Sequence, residues 1–120
     1  MALVLEVSLK GVEEIMLTAA EIGTIGERHA TAWLRANGWR CYTDTKLPGA
    51  TDIEATSGGR VILVQVKTAV YPSLPAGLTV HEKRAIVARA KYNQKEAWLV
   101  QLQIDREGAV VGSITWAELT

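Results

Sequence analysis

The sequence has little of the cysteine and none of the long apolar runs that are typical of secreted and membrane proteins. It holds one cysteine among 120 residues, which excludes an internal disulfide and fits a reducing compartment. No stretch approaches the roughly 18 apolar residues of a membrane span, and Glu6 interrupts the opening apolar run too early for a secretory signal. We therefore expect a cytoplasmic protein, in the host cytoplasm if the source is viral, with no membrane partner.

Motifs for several common kinds of site are also missing. Neither His29 nor His81 has a second His or Cys at metal-ligand spacing, so neither predicts a metal site. No glycine-rich phosphate loop of the Walker type occurs, which predicts that no nucleotide cofactor is bound, and no Ser-His-Asp arrangement is indicated. Cys41 lies in a predicted strand, and we interpret it as a packing residue rather than a reactive thiol.

The charges are balanced overall but unevenly distributed, with a formal net charge of zero. Residues 28–95 carry eleven Lys or Arg against four Asp or Glu. Residues 1–27 carry five Glu against one Lys, and residues 96–120 carry four acidic residues against one Arg. A positive centre with acidic flanks is compatible with phosphate binding. An ordinary solvated surface explains the pattern equally well, so charge alone does not decide between them.

What is present predicts one α/β domain. A chain of 120 residues with 48% hydrophobic residues is long and apolar enough for a single core. Thr18 and Thr79 each stand three residues before a Glu, which predicts capping boxes at the start of two helices. We expect the helices to run to about Asn37 and to about residue 93.

Short apolar runs bounded by turn residues predict the strands. The expected strands cover residues 39–43, 51–56, 60–68, 97–104 and 110–114, and a helical stub is expected at 115–119. Ser57-Gly58-Gly59 reads as a hairpin turn. This order of elements predicts a single domain in which a central mixed β-sheet is flanked by helices.

Three polar residues on the predicted hairpin indicate a site. Gln65 and Lys67 are two apart on a strand and therefore share a face, and the hairpin brings Asp52 to the same place. Oxygen ligands suit Mg²⁺, and metal-assisted cleavage of a phosphodiester needs such a site with a nearby cation. Each residue alone has a structural explanation: a turn Asp, a Lys at a strand tip and a hydrogen-bonded buried Gln.

Together with Glu27 on the first helix, these residues resemble the PD-(D/E)xK nuclease superfamily. Gly26-Glu27-Arg28, Asp52 and Gln65-Val66-Lys67 carry the resemblance, which covers about residues 23–104. Within the superfamily, the layout is similar to the archaeal-type Holliday-junction resolvases, which are also found in viruses. The resemblance implies a restriction-endonuclease-like core, with residues 1–20 as an N-terminal extension, 21–104 as catalytic core and 105–120 as a C-terminal strand and helix.

The resemblance also implies residue roles. Glu27, Asp52 and Gln65 would hold Mg²⁺, for which Mn²⁺ can substitute. Lys67 would orient or help activate the attacking water and stabilise charge on the phosphate. The implied DNA-binding residues are Arg28, Arg35, Lys46, Thr51, Lys83, Arg84, Arg89 and Lys91.

The sequence departs from the resolvases at two places. Gln65 stands where they usually have Glu, whereas restriction-type nucleases include a QxK motif. Gln65 brings no charge, and Glu54, which shares a face with Asp52, is a reserve acid. Resolvases often carry a Ser in the loop before the Asp, where this chain has only Thr51 as a hydroxyl.

We therefore expect a Mg²⁺-dependent, structure-selective DNA endonuclease that resolves four-way (Holliday) junctions by paired nicks. A homodimer suits the two-fold symmetry of a junction, and strand 97–104 with Trp98 and Trp116 is one candidate interface. Gln65 favours the alternative of a restriction-like or repair nuclease acting on linear duplex DNA. A catalytically inactive DNA-binding member of the same fold is a further alternative, and a chance motif match in an unrelated small α/β domain is the last.

Overall fold

The chain folds into two helices and one five-stranded sheet over the residues described, 16–42 and 52–120, in a computed structural model. The helices are α1 (Ala19–Ala36) and α2 (Val80–Tyr92). The strands are β1 (Arg40–Tyr42), β2 (Ile53–Ser57), β3 (Arg60–Val70), β4 (Glu96–Ile104) and β5 (Val110–Leu119). Residues 1–15 of the predicted N-terminal extension and residues 43–51, which include one end each of the predicted strands 39–43 and 51–56, lie outside the described residues.

The sheet is mixed, as the sequence predicts, and its strands follow chain order from β1 to β5. Strands β1, β2 and β3 pair antiparallel, β3 and β4 pair parallel, and β4 and β5 pair antiparallel. The parallel step needs a crossover, and α2 provides it. Neither helix is long and apolar enough to cross a membrane within the described ranges.

Both helices begin where their capping residues predict. The Thr18 hydroxyl accepts a hydrogen bond from the Glu21 N–H at 3.1 Å, and the Glu21 carboxylate accepts one from the Thr18 N–H at 3.0 Å. Thr79 and Glu82 repeat this arrangement at the start of α2. These bonds span only three residues, which is why the sequence alone predicts them.

Two glycines form the turn of the β2–β3 hairpin. Gly58 and Gly59 have φ angles of 54° and 83°, and a two-residue hairpin turn with both central residues at positive φ favours glycine. The turn sets the register, in which Ile53 lies opposite Val64. Asp52 consequently stands at the end of the β2–β3 ladder opposite to the turn.

The helices cover opposite faces of the sheet. Ala30 and Leu34 of α1 pack in a core that includes the buried residues Ile62, Val64 and Val66 of β3. Leu63, which points to the other face, packs with Ile86 and Ala90 of α2. Because side chains alternate along a strand, Gln65 and Lys67 belong to the α2 face.

The C-terminal segment differs from its prediction. Residues 115–119 were expected to form a helical stub, but β5 continues through them to Leu119. Leu119 pairs with Ala97 and Trp116 with Val100. The sequence pattern of so short a segment is ambiguous, and pairing with a distant strand decides the outcome.

Helix α1 approaches β3 very closely at Gly26. A Cβ atom built on Gly26 would lie 1.7 Å from the Thr68 Oγ1 and 2.8 Å from the Thr68 Cβ. Rotation of the Thr68 side chain relieves the first contact but not the second, since χ1 does not move Cβ. Gly23, one turn earlier, has nothing within 4 Å of the same position.

We predict opposite effects for alanine at these two glycines. Gly26→Ala forces the helix away from the sheet and should destabilise the protein by about 1–3 kcal/mol. Gly23→Ala removes only backbone freedom and should stabilise it by about 0.5–1 kcal/mol. Urea unfolding of the two variants beside the parent measures both effects, and equal shifts would contradict the close approach.

Candidate functional site

Asp52 lies at the point where β2 enters the sheet, and it is bound to β3 by two hydrogen bonds. Its backbone N–H donates to the Val64 carbonyl at 2.9 Å, and its carboxylate Oδ2 accepts from the Val66 N–H at 2.8 Å. The side chain thus takes the place of a backbone carbonyl in the ladder. This fixes the carboxylate next to Gln65, which lies between the two bonded residues.

Glu27 reaches the same carboxylate from α1. The carboxyl groups of Glu27 and Asp52 lie close enough to interact directly. Burial, the negative charge of Asp52 and the contact with its carboxyl group raise the pKa of Glu27. Gly26, the preceding residue, packs tightly against Thr68 of β3, so Glu27 directly follows a position at which α1 comes close to the sheet.

The pKa of Asp52 is also raised, and burial is the main cause. The Val66 N–H, the contact with Glu27 and the positive charge of Lys67 lower it, whereas the negative charge of Glu82 raises it. Two half-buried carboxyl groups in contact disfavour a second negative charge. A cation placed between them would remove that repulsion.

Lys67 completes the predicted group, but it has a partner that the sequence did not reveal. Its Nζ donates to the Glu82 Oε2 at 2.9 Å, and the two side chains are 23% and 28% exposed. The sequence predicts only a capping role for Glu82. Because Glu82 is fifteen residues away and on another element, no local pattern signals the pair.

Gln65 is buried, at 7% exposure, and its Oε1 has no hydrogen-bond partner among the described residues. Most buried polar atoms in proteins are satisfied. An unpaired amide oxygen is therefore unusual, and it lies on the strand face that also carries Lys67. Sequence reasoning required either a partner or a ligand for this side chain, and the described residues supply no partner for the oxygen.

Glu54, the predicted reserve acid, is engaged elsewhere. Its carboxylate forms an ion pair with the Lys95 Nζ at 2.6 Å. Over residues 16–42 and 52–120, no three His, Cys, Asp or Glu side chains are grouped so that they could hold a metal ion. The predicted metal ligands therefore amount to two carboxylates and one amide oxygen.

The predicted DNA-binding residues fall on separate surfaces. Arg28 and Arg35 are exposed on α1 and line a depression that also includes Glu27. Lys83 and Arg84 line another depression, on α2, across the sheet. Lys91 is exposed and Arg89 half-buried, both towards the end of α2. Lys46 and Thr51 lie outside the described residues.

The tryptophans lie close together within one copy of the chain, and Trp33 is exposed. All four line one cavity of about 180 Å³, and the rings of Trp33 and Trp116 are 4.7 Å apart. Trp98, on β4, donates its indole N–H to Glu96. Strand β4 is paired on both edges, so its backbone offers no edge for a second copy. The homodimer itself stays a prediction.

Two residues that were not assigned to the site make structural contacts. The His29 Nε2 donates to the Gly108 carbonyl at 2.7 Å and ties α1 to the β4–β5 turn. Cys41 lies 4.0 Å from the Thr31 carbonyl, and burial raises the pKa of its thiol. A thiol with a raised pKa is a poor nucleophile, in line with a packing role.

Comparison with known proteins bears on the fold. No family model matches the chain, and no curated protein sequence matches it. Among solved structures, it is similar to Hjc, a Holliday junction resolvase from the archaeal hyperthermophile Archaeoglobus fulgidus. The TM-score is 0.63 at 21% identity, over 81% of this chain and 72% of that one. At this identity the likeness establishes a shared α/β fold, which confirms the predicted fold class.

We predict that Asp52→Asn stabilises the protein at neutral pH by about 0.5–2 kcal/mol, a common gain for removal of a strained functional group. The amide oxygen still accepts from Val66, but the buried charge is gone. Because the folded-state pKa of Asp52 is raised, the carboxyl group contributes stability below its ordinary pKa of about 4 that is lost as pH rises through the folded-state pKa. The advantage of the variant should therefore grow with pH across that window.

Urea unfolding at pH 4 and pH 7 measures this difference. Asp105→Asn is the matched control, because Asp105 lies in the β4–β5 turn and accepts two backbone N–H bonds. No stabilisation is expected there. A less stable Asp52→Asn at pH 7 would mean that the bonds to the carboxylate outweigh its burial.

Proposed function

We propose that this protein is a Mg²⁺-dependent DNA endonuclease that is selective for branched DNA and resolves four-way junctions by paired nicks. One observation carries the proposal: Glu27 on α1 and Lys67 on β3 both interact with Asp52, which directly precedes β2. Gln65, two residues before Lys67 on β3, has a buried oxygen without a partner among the described residues. The fold likeness to a Holliday junction resolvase supports the proposal. The convergence is the more specific support, since a fold alone hosts many functions.

The oxygen atoms of the site suit a divalent cation. Glu27 and Asp52 offer adjacent carboxyl groups whose pKa values are raised mainly by burial. Gln65 offers an amide oxygen that has no hydrogen-bond partner among the described residues. Mg²⁺ is held in proteins by one or two carboxylates and keeps several waters, so these three residues would hold it. When bound, it would supply Lewis-acid stabilisation of phosphate charge and a more acidic water.

The side chains of Asp52, Lys67 and Glu27 have further roles in the proposed reaction. Asp52, fixed by two bonds to β3, orients the site relative to the sheet. Lys67 places an ammonium next to Asp52, where it stabilises the negative charge that develops on the phosphate and orients the attacking water. Glu27 and Asp52 would serve as ligands in their ionised forms, and a bound cation would offset the burial and repulsion that raise the pKa of Glu27.

The outer surface of α1 is the proposed path of one DNA strand. Arg28 and Arg35 are exposed on the helix that carries Glu27. Seven residues apart on a helix, they are spaced by about 10 Å along its axis. Arginines contact phosphates without reading sequence, which fits a substrate recognised by shape. Two copies of the chain would place two such sites on a two-fold symmetric junction.

We predict that the protein cuts a labelled four-way junction in Mg²⁺ by symmetric nicks near the branch point. A linear duplex of the same sequence should remain uncut. EDTA and Asp52→Asn should each abolish cleavage, because both remove the cation from the site. Gel analysis of both labelled strand pairs measures the outcome.

Other outcomes of this experiment would favour one of the alternative functions. Equal cleavage of junction and duplex would replace the junction proposal with the general nuclease that Gln65 favours. Tight junction binding with no cleavage in Mg²⁺ or Mn²⁺ would indicate an inactive DNA-binding member of the fold. As an independent readout, Mg²⁺ should raise the unfolding midpoint of the parent but not of Asp52→Asn.

We further predict that Arg28→Ala and Arg35→Ala each weaken junction binding by about threefold to tenfold. Each should also reduce the slope of log affinity against log salt by about 1, as loss of one phosphate contact requires. Lys83→Ala, on the far side of the sheet, is the matched control and should change binding by less. Fluorescence anisotropy in Ca²⁺ at several salt concentrations measures this, and a larger effect of Lys83→Ala would move the DNA path to α2.

A further inference from the structure

The two helices begin with the same motif, but only one of the two copies touches the candidate site. Glu21 and Glu82 occupy the same capping position, and each accepts the backbone N–H of its Thr at 3.0 Å. In the part of the chain that the structure describes, Glu21 forms no ion pair. Glu82 uses its second oxygen to bind the Lys67 Nζ at 2.9 Å.

The Glu82 carboxylate is a fixed anion. One oxygen is held by the Thr79 N–H, and the Glu82 N–H is itself bound by the Thr79 hydroxyl. The backbone bond from Thr79 and the bond from Lys67 lower the pKa of Glu82 to about 2. Helix α2 is anchored to the sheet by Ile86, which is fully buried. The anion therefore has a set position relative to β3.

Lys67 is a flexible side chain that gains its position from this anion. A lysine has a four-carbon stem with considerable rotamer freedom. In this structure its ammonium lies within the electrostatic reach of Asp52 on one side and is bonded to Glu82 on the other. Asp52 is itself engaged by Val66 and Glu27. Glu82 is thus the carboxylate that is free to hold the ammonium.

We propose that Glu82 is a positioning residue, which holds the ammonium of Lys67 beside Asp52 in the geometry that the cleavage reaction needs. The first turn of α2 then belongs to the active site, although it contributes no group to the reacting atoms. This inference rests on the proposed nuclease function. It extends that function by assigning to Glu82 a role beyond helix capping.

The test compares Glu82→Gln with Glu21→Gln. Glutamine also serves in a capping box, so both variants keep their helix start and only the first loses the ion pair. In single-turnover cleavage of the four-way junction, Glu82→Gln should lower the maximal rate by about tenfold to a hundredfold, the scale expected for a misplaced group. Junction affinity should not change. Glu21→Gln should match the parent in both rate and affinity.

A double-mutant cycle separates positioning from a general structural effect. If Glu82 acts through Lys67, then Glu82→Gln should cause no further loss of rate in a Lys67→Ala background. Enzyme in excess and incubations of many hours keep the slow reactions measurable. An equal loss in both backgrounds would overturn the proposal, as would a faster Glu82→Gln, which would make the pair an inhibitory latch.

Failure of the proposed function has a different signature. A parent protein that cuts no DNA would refute the nuclease proposal. The parent, Glu82→Gln, Lys67→Ala and the double variant would then be compared in urea unfolding. A coupling between positions 67 and 82 in the free energy of unfolding would show that Glu82 holds Lys67 even though the protein is not a nuclease. Additive effects would show that Glu82 does not hold Lys67 at all.

Discussion

The candidate site depends on the two hydrogen bonds that join Asp52 to β3. A backbone bond to Val64 and a side-chain bond from Val66 end the ladder between β2 and β3. They place the Asp52 carboxylate, rather than a backbone carbonyl, at the end of the β2–β3 ladder. Glu27 and Lys67 both interact with this carboxylate, and Glu82 binds the ammonium of Lys67 from the other side. The hairpin register, set by the two turn glycines, decides where these bonds form.

The burial of Glu27, Asp52 and Gln65 is electrostatically unfavourable for the folded protein. Glu27 and Asp52 are half-buried acids in contact, and burial raises the pKa of each. Gln65 adds an unpaired buried oxygen. A protein selected only for stability would replace such groups with apolar ones. Their presence together is understandable if the site exists to receive a cation, and the well-packed core on both faces of the sheet tolerates the cost.

The two capping boxes illustrate how one local motif acquires different uses. Thr18 with Glu21 and Thr79 with Glu82 are equivalent in sequence and in backbone geometry. The second capping box lies next to Lys67 because α2 is in the crossover between β3 and β4. A glutamate that begins a helix thereby becomes a neighbour of the candidate site.

Local features were determined by the sequence itself. The capping boxes, the Gly-Gly turn and the shared face of Gln65 and Lys67 depend on residues only a few positions apart, so a pattern reveals them. The order of these elements also sufficed to predict the mixed sheet between two helices. The hairpin pattern also predicted Asp52, Gln65 and Lys67 together. Glu27 was predicted only through the family resemblance, because no local pattern links α1 to the hairpin.

Tertiary structure alone decided the long-range pairings. Strand β5 continues to Leu119 because β4 lies beside it, and the expected helix at 115–119 does not form. Glu54 pairs with Lys95, and Lys67 with Glu82, across different elements. Gly26 is needed because Thr68 packs against it. Such contacts join residues that are distant in the chain, and packing of the whole fold selects them, so no local pattern in the sequence contains them.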